Sequence, residues 1–123
     1  MRTILALCAL SLVVGIIVVW QLMSLPNNYG SFAGTSKAEV ADLIDRPKDF
    51  LHKTLAIEGI VRQQCTTMGC YFFFLSGTKM LRVDLEQITM VAPRRNGHVA
   101  RVEGQMVPYG DGYQFVASAV EFK

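Results

Sequence analysis

The chain reads as a mainly β domain, a closed Greek-key barrel of five short strands with one short amphipathic helix before it, all carried behind a single membrane-spanning helix. Three observations lead there. Residues 3–25 hold no charged side chain. Five later runs alternate with the two-residue period of strands and are punctuated by Gly- and Asn-containing turns. Between the third and fourth runs the alternation breaks, which gives five strands with an insertion, the pattern of a small closed barrel.

The apolar N-terminal run comes first. TILALCALSLVVGIIVVWQLMSL contains only Thr3, Ser11, Gln21 and Ser24 as polar interruptions. Twenty-three residues at helical rise cover about 34 Å, enough to cross a bilayer core with slight tilt. A cleaved secretory signal is the rival reading, but the apolar run is longer than the usual signal core. The small-residue site Ser31-Phe32-Ala33 also lies well past its end, so an uncleaved anchor over residues 1–25 is favoured. Arg2 precedes the run and residues 26–36 after it are uncharged, which leaves the N-terminus in the cytoplasm and the rest periplasmic or extracellular.

Residues 26–35, rich in Asn, Gly and Ser, read as a flexible spacer lifting a domain of residues 36–123 from the membrane. Ser36-Lys37-Ala38-Glu39 fits a capping box, and Val40, Leu43 and Ile44 fall at helical spacing in a short helix that ends at Pro47. From Thr54 the period changes: Leu55, Ile57, Gly59 and Val61 form one face of a first strand. Tyr71-Phe72-Phe73-Phe74-Leu75 is the second, Ser76-Gly77-Thr78-Lys79 the turn, and Met80-Leu81-Arg82-Val83-Asp84 the third. The fourth and fifth run from Val99 to Val107 and from Tyr113 to Phe122, joined at Gly110-Asp111-Gly112. Gly59 and Gly104 stand in mid-strand, where glycine marks a sharp bend or close packing and so supports barrel closure. Five strands in this arrangement suit an OB-type barrel.

On these residues the domain resembles known proteins. Leu43-x-x-x-Pro47-x-x-Phe50, then Lys53-Thr54-Leu55-Ala56-Ile57-Glu58-Gly59-x-Val61, Cys65-x4-Cys70-Tyr71 and Leu81-Arg82-Val83-Asp84 are similar to exported, membrane-anchored bacterial OB-fold domains of the nucleic-acid-type barrel superfamily. Among these is a family of unknown function with a Cys-x4-Cys-aromatic hairpin. The resemblance implies fold more than function. The anchored barrel also resembles the haem chaperone of cytochrome c maturation in architecture, but the His-x-x-x-Tyr motif that carries haem there is missing: Ala56 and Val102 stand four residues after His52 and His98.

From residue 26 onward, 11 Lys and Arg face 10 Asp and Glu, a balance that disfavours a nucleic-acid binder. Cys65 and Cys70 flank a four-residue loop and would face each other across a hairpin, within reach of a disulfide in an oxidising compartment. The alternative is a copper(I) site of both thiolates and the Met68 thioether, since sulfur-only ligands select that ion. Tyr71 and Phe73 on one face of the second strand, with the basic residues Arg94, Arg95 and Arg101, make the candidate partner-binding surface. No nucleophile-base set, phosphate-cradling glycine loop or paired carboxylates appear, so no enzyme is expected and no cofactor beyond the copper alternative. The expected function is a membrane-tethered extracytoplasmic binding or assembly module contacting an envelope protein complex, with copper or cofactor carriage as the alternative.

Overall fold

The computed structural model describes residues 2–23, 27–65, 71–88 and 95–123. Helix α1 spans Arg2–Met23 with exposed Leu, Ile and Val side chains, and it is long and apolar enough to cross a membrane. A signal sequence near an N-terminus can also be long and apolar enough to meet that criterion.

Five strands close the barrel. They are β2 (Thr54–Arg62), β3 (Tyr71–Ser76), β4 (Lys79–Asp84), β5 (Val99–Tyr109) and β6 (Gly112–Phe122). The pairing runs β2-β3-β4-β6-β5 and returns from β5 to β2; every pair is antiparallel except β4 with β6. That order, with its parallel pair between the third and fifth barrel strands, fits an OB-fold. The five strands lie where the alternation placed them. Alternate side chains fill the interior: Ile57, Val61, Phe72, Phe74, Leu81, Val83, Val102, Met106, Phe115 and Val120 are buried in one core.

Both mid-strand glycines serve closure. A Cβ on Gly59 would stand 2.8 Å from Cγ of Phe74, so the glycine leaves room for that ring inside the barrel. At Gly104 the register of β5 against β6 shifts by one residue, and a Cβ there would run into the Val116 carbonyl oxygen. The bulge, whose extra residue is Ser118, bends β6 against β5 around the core.

Two expectations need correction. Residues 27–35 are not a free spacer: β1 (Asn28–Gly30) pairs antiparallel with residues 119–121 of β6, on the edge that β4 occupies over residues 115–116. β4 ends at Asp84, and the unpaired backbone of β6 beyond it takes up the incoming chain. The capping box does not form either. Helix α2 covers Val40–Asp45 with Glu39 at its N-cap and no side-chain cap bond. Ser36 and Ala38 instead exchange backbone hydrogen bonds with Ala56, both at 2.9 Å, so this segment runs extended beside β2 and not as a first helical turn. Val40 and Leu43 of α2 are buried, Ile44 packs beside them, and a 3-10 turn over Pro47–Phe50 follows.

Candidate binding face

The outer surface of β3 and β4 follows from the same alternation that fills the core. Phe72 and Phe74 point inward with ring centroids 5.0 Å apart, which sends Tyr71, Phe73 and Leu75 outward. On β4, Leu81 and Val83 point inward and Met80, Arg82 and Asp84 outward. The hairpin register sets Tyr71 opposite Asp84, Phe73 opposite Arg82 and Leu75 opposite Met80.

Arg82 organises this face. Its guanidinium carbon lies 4.1 Å from the Tyr71 ring centre and 4.8 Å from that of Tyr109, between two cation-π partners. Arg82 Nε donates to Gln114 Oε1 at 3.0 Å, and Gln114 Nε2 donates to Asp84 Oδ2 at 3.4 Å. Parallel pairing of Val83 with Phe115 brings Gln114 beside Arg82, and the β5–β6 turn, with Gly110 at φ +55°, brings Tyr109 back over it. Tyr71 and Phe73 meet edge to face at 5.8 Å. Around this centre, Leu75 (47% exposed), Met80 (44%) and Tyr109 (50%) leave apolar surface open.

Of the five residues expected to form a partner surface, the barrel brings Tyr71 and Phe73 together and sets Arg95 and Arg101 elsewhere. Arg101 is on β5, separated from β3 by β2 on one side and by β6 and β4 on the other; it pairs with Glu121 at 3.2 Å and stacks on Phe32 at 4.2 Å. Arg95 precedes β5, where its backbone N–H donates to Gln64 Oε1 (2.8 Å) and its guanidinium to Asn27 Oδ1 (3.0 Å). Burial pushes the nearby Tyr29 phenol up, and the Arg95 charge acts against that rise. Arg94, Met68 and Cys70 lie outside the described residues. The Cys65 N–H donates to the Tyr71 carbonyl at 2.9 Å, which holds Cys65 next to the residue that follows Cys70. Among the described residues no group of three or more His, Cys, Asp or Glu side chains is arranged to hold a metal.

One buried charge escaped the sequence reading. Glu103 on β5 is 2% exposed, and its two carboxylate oxygens accept the backbone N–H groups of Ala33 (2.7 Å) and Thr35 (3.2 Å). Burial raises its pKa, but the hydrogen bonds from the 33–35 segment outweigh that and hold the carboxyl below its ordinary value. This is a latch between the entering chain and the barrel. Arg82, Tyr109 and Gln114 were missed as well, because they come from three strands and only closure assembles them.

No protein-family model and no curated protein sequence matches the chain. Among solved structures it is similar to the hypothetical protein ygiW from E. coli, at 11% identity and a TM-score of 0.51, over 76% of this chain and 99% of that one. It is also similar to a putative aspartyl-tRNA synthetase from Leishmania major Friedlin, at 14% identity and a TM-score of 0.52. That match covers 75% of this chain and 21% of the synthetase. At these identities the likeness concerns the fold alone.

Proposed function

We propose that this chain is a membrane-tethered binding module, not an enzyme, in which α1 is the anchor and the exported barrel holds another envelope protein through the outer face of β3 and β4. The observation that carries this reading is Arg82 fixed between Tyr71 and Tyr109, beside exposed Leu75 and Met80. Tyrosine and arginine dominate the energetics of protein interfaces, and an arginine already held by two rings and Gln114 gives up little side-chain freedom on binding. OB-type barrels bind through the corresponding strands and the loops beside them. The near balance of charge in the exported part favours a protein partner over a polyphosphate. The matching partner segment presents a carboxylate to Arg82 and an apolar side chain to Leu75 and Met80.

A photo-crosslinking side chain at Leu75 in the full chain, expressed in native membranes, tests this. The expected result is one discrete adduct that disappears with Arg82→Glu and persists with Lys48→Glu on the exposed 3-10 turn. No adduct at Leu75, or one indifferent to Arg82→Glu, would remove the proposed face.

A further inference from the structure

The connection from α1 into the barrel is short. α1 ends at Met23 and β1 begins at Asn28, so Asn27 stands four Cα steps beyond the helix, at most about 14 Å of extended chain. A helix of 22 residues is about 33 Å long and uses nearly all of that to cross a hydrocarbon core of about 30 Å, which sets Met23 at the headgroups when α1 spans the bilayer. Asn27 is itself fastened to the barrel. Its carbonyl accepts the Phe122 N–H at 2.8 Å and its side-chain oxygen accepts from Arg95 at 3.0 Å. The end of the barrel where the chain enters is thus kept beside the membrane surface.

That end is basic. Arg95 lies there on Asn27, and the Arg62 guanidinium reaches Gly97 in the same turn, whose N–H bonds the Val61 carbonyl. His98 donates its Nδ1–H to the Lys123 carbonyl at 3.0 Å, so Lys123 joins the group. Among the described residues, Glu58 there takes the Lys123 ammonium at 3.3 Å, and Glu121 is engaged by Arg101. No carboxylate pairs with Arg62 or Arg95 among the described residues. The far end is different. Its charges are balanced: the β3–β4 turn packs against α2 through Lys79 and Asp45, and Arg46 pairs with Asp42 and Asp49.

We infer that this basic end docks on anionic phospholipid headgroups, so that the barrel lies on the bilayer in one orientation, with Arg62, Arg95 and Lys123 down and the β3–β4 turn away. The inference rests on α1 being a membrane anchor but not on the β3–β4 face having a partner. Docking turns the tether's proximity into orientation: a basic side chain near an anionic surface strengthens association about fivefold, and the attraction fades within a Debye length of about 8 Å.

The test uses the full chain in nanodiscs of phosphatidylcholine, with or without phosphatidylglycerol, each containing a trace of headgroup-spin-labelled lipid. Paramagnetic broadening of backbone amides is read at residues 95–98 and, as the far-end control, at 77–79. The expected result is stronger broadening at 95–98 with phosphatidylglycerol than without it, the increase being lost at high salt and weakened about fivefold in docking equilibrium by Arg62→Gln or Arg95→Gln. Arg62 is exposed, so its variant keeps the test sound if Arg95→Gln disturbs the fold. Equal broadening in both lipids, or broadening centred on 77–79, overturns the orientation while leaving the anchor intact. A chain that fails to enter the discs overturns the anchor and the docking together.

Discussion

Glu103 Oε1 accepts the N–H of Ala33 at 2.7 Å across 70 residues of sequence, and this bond ties the segment that enters the barrel to the middle of β5. Glu103 Oε2 takes Thr35 in the same way. The segment between β1 and α2 is thereby held on the surface of the barrel by a carboxylate that, among the described residues, has no ion-pair partner.

This latch predicts a pH dependence. The folded pKa of Glu103 lies below its unfolded value, so its contribution to stability is complete at pH above the ordinary carboxyl range near 4.5. It is lost as pH falls through the lower folded value. Glu103→Gln should flatten this acid limb. Glu103→Ala, which leaves two backbone donors without their acceptor, should cost roughly 2–3 kcal/mol at neutral pH. Urea unfolding from pH 7 downward measures both; an acid limb unchanged by Glu103→Gln would refute the role.

The glycines predict an ordering. Gly59→Ala meets Cγ of the buried Phe74, a side chain that must shift within the core, and its expected cost is about 1–3 kcal/mol. Gly104→Ala meets the backbone oxygen of Val116 at the bulge, where neither partner swings aside, so it should destabilise more than Gly59→Ala. Thermal unfolding of the two variants decides the order, and a milder Gly104→Ala would mean that the bulge relaxes without strain.

Cys65 and Cys70 predict a redox response. An exported chain should carry Cys65 and Cys70 as a disulfide, and its reduction should lower stability by about 2 kcal/mol, as expected for so short a loop. A native mass spectrum with and without copper reads the state directly. A deficit of two hydrogens and no metal adduct supports the bridge. Reduced thiols holding one copper ion, lost in Cys65→Ser, would replace it with the carrier reading.

Much of the fold was legible because strand alternation is a local property. Leu81 and Val83 face the core and Arg82 faces outward for the same reason that adjacent side chains leave a strand on opposite sides. The Tyr71 and Phe73 half of the binding face came from that rule too. Local rules misread residues 26–39. Asn, Gly and Ser looked like spacer and Ser36-x-x-Glu39 like a cap, but both depend on whether some other strand needs a backbone partner, and β6 and β2 did.

The chain by itself determined an apolar N-terminal helix, five strands, a buried face for each, and two mid-strand glycines that serve the closure of the barrel. Tertiary structure alone decided which strands meet. The parallel contact of β4 with β6 set Gln114 against Arg82, the β5–β6 turn laid Tyr109 over the same guanidinium, and closure put Arg101 on another side of the barrel from Phe73. Side-chain direction is written in nearest neighbours along the chain, whereas a site built from three strands exists only after the loop-closure entropy of bringing them together has been overcome.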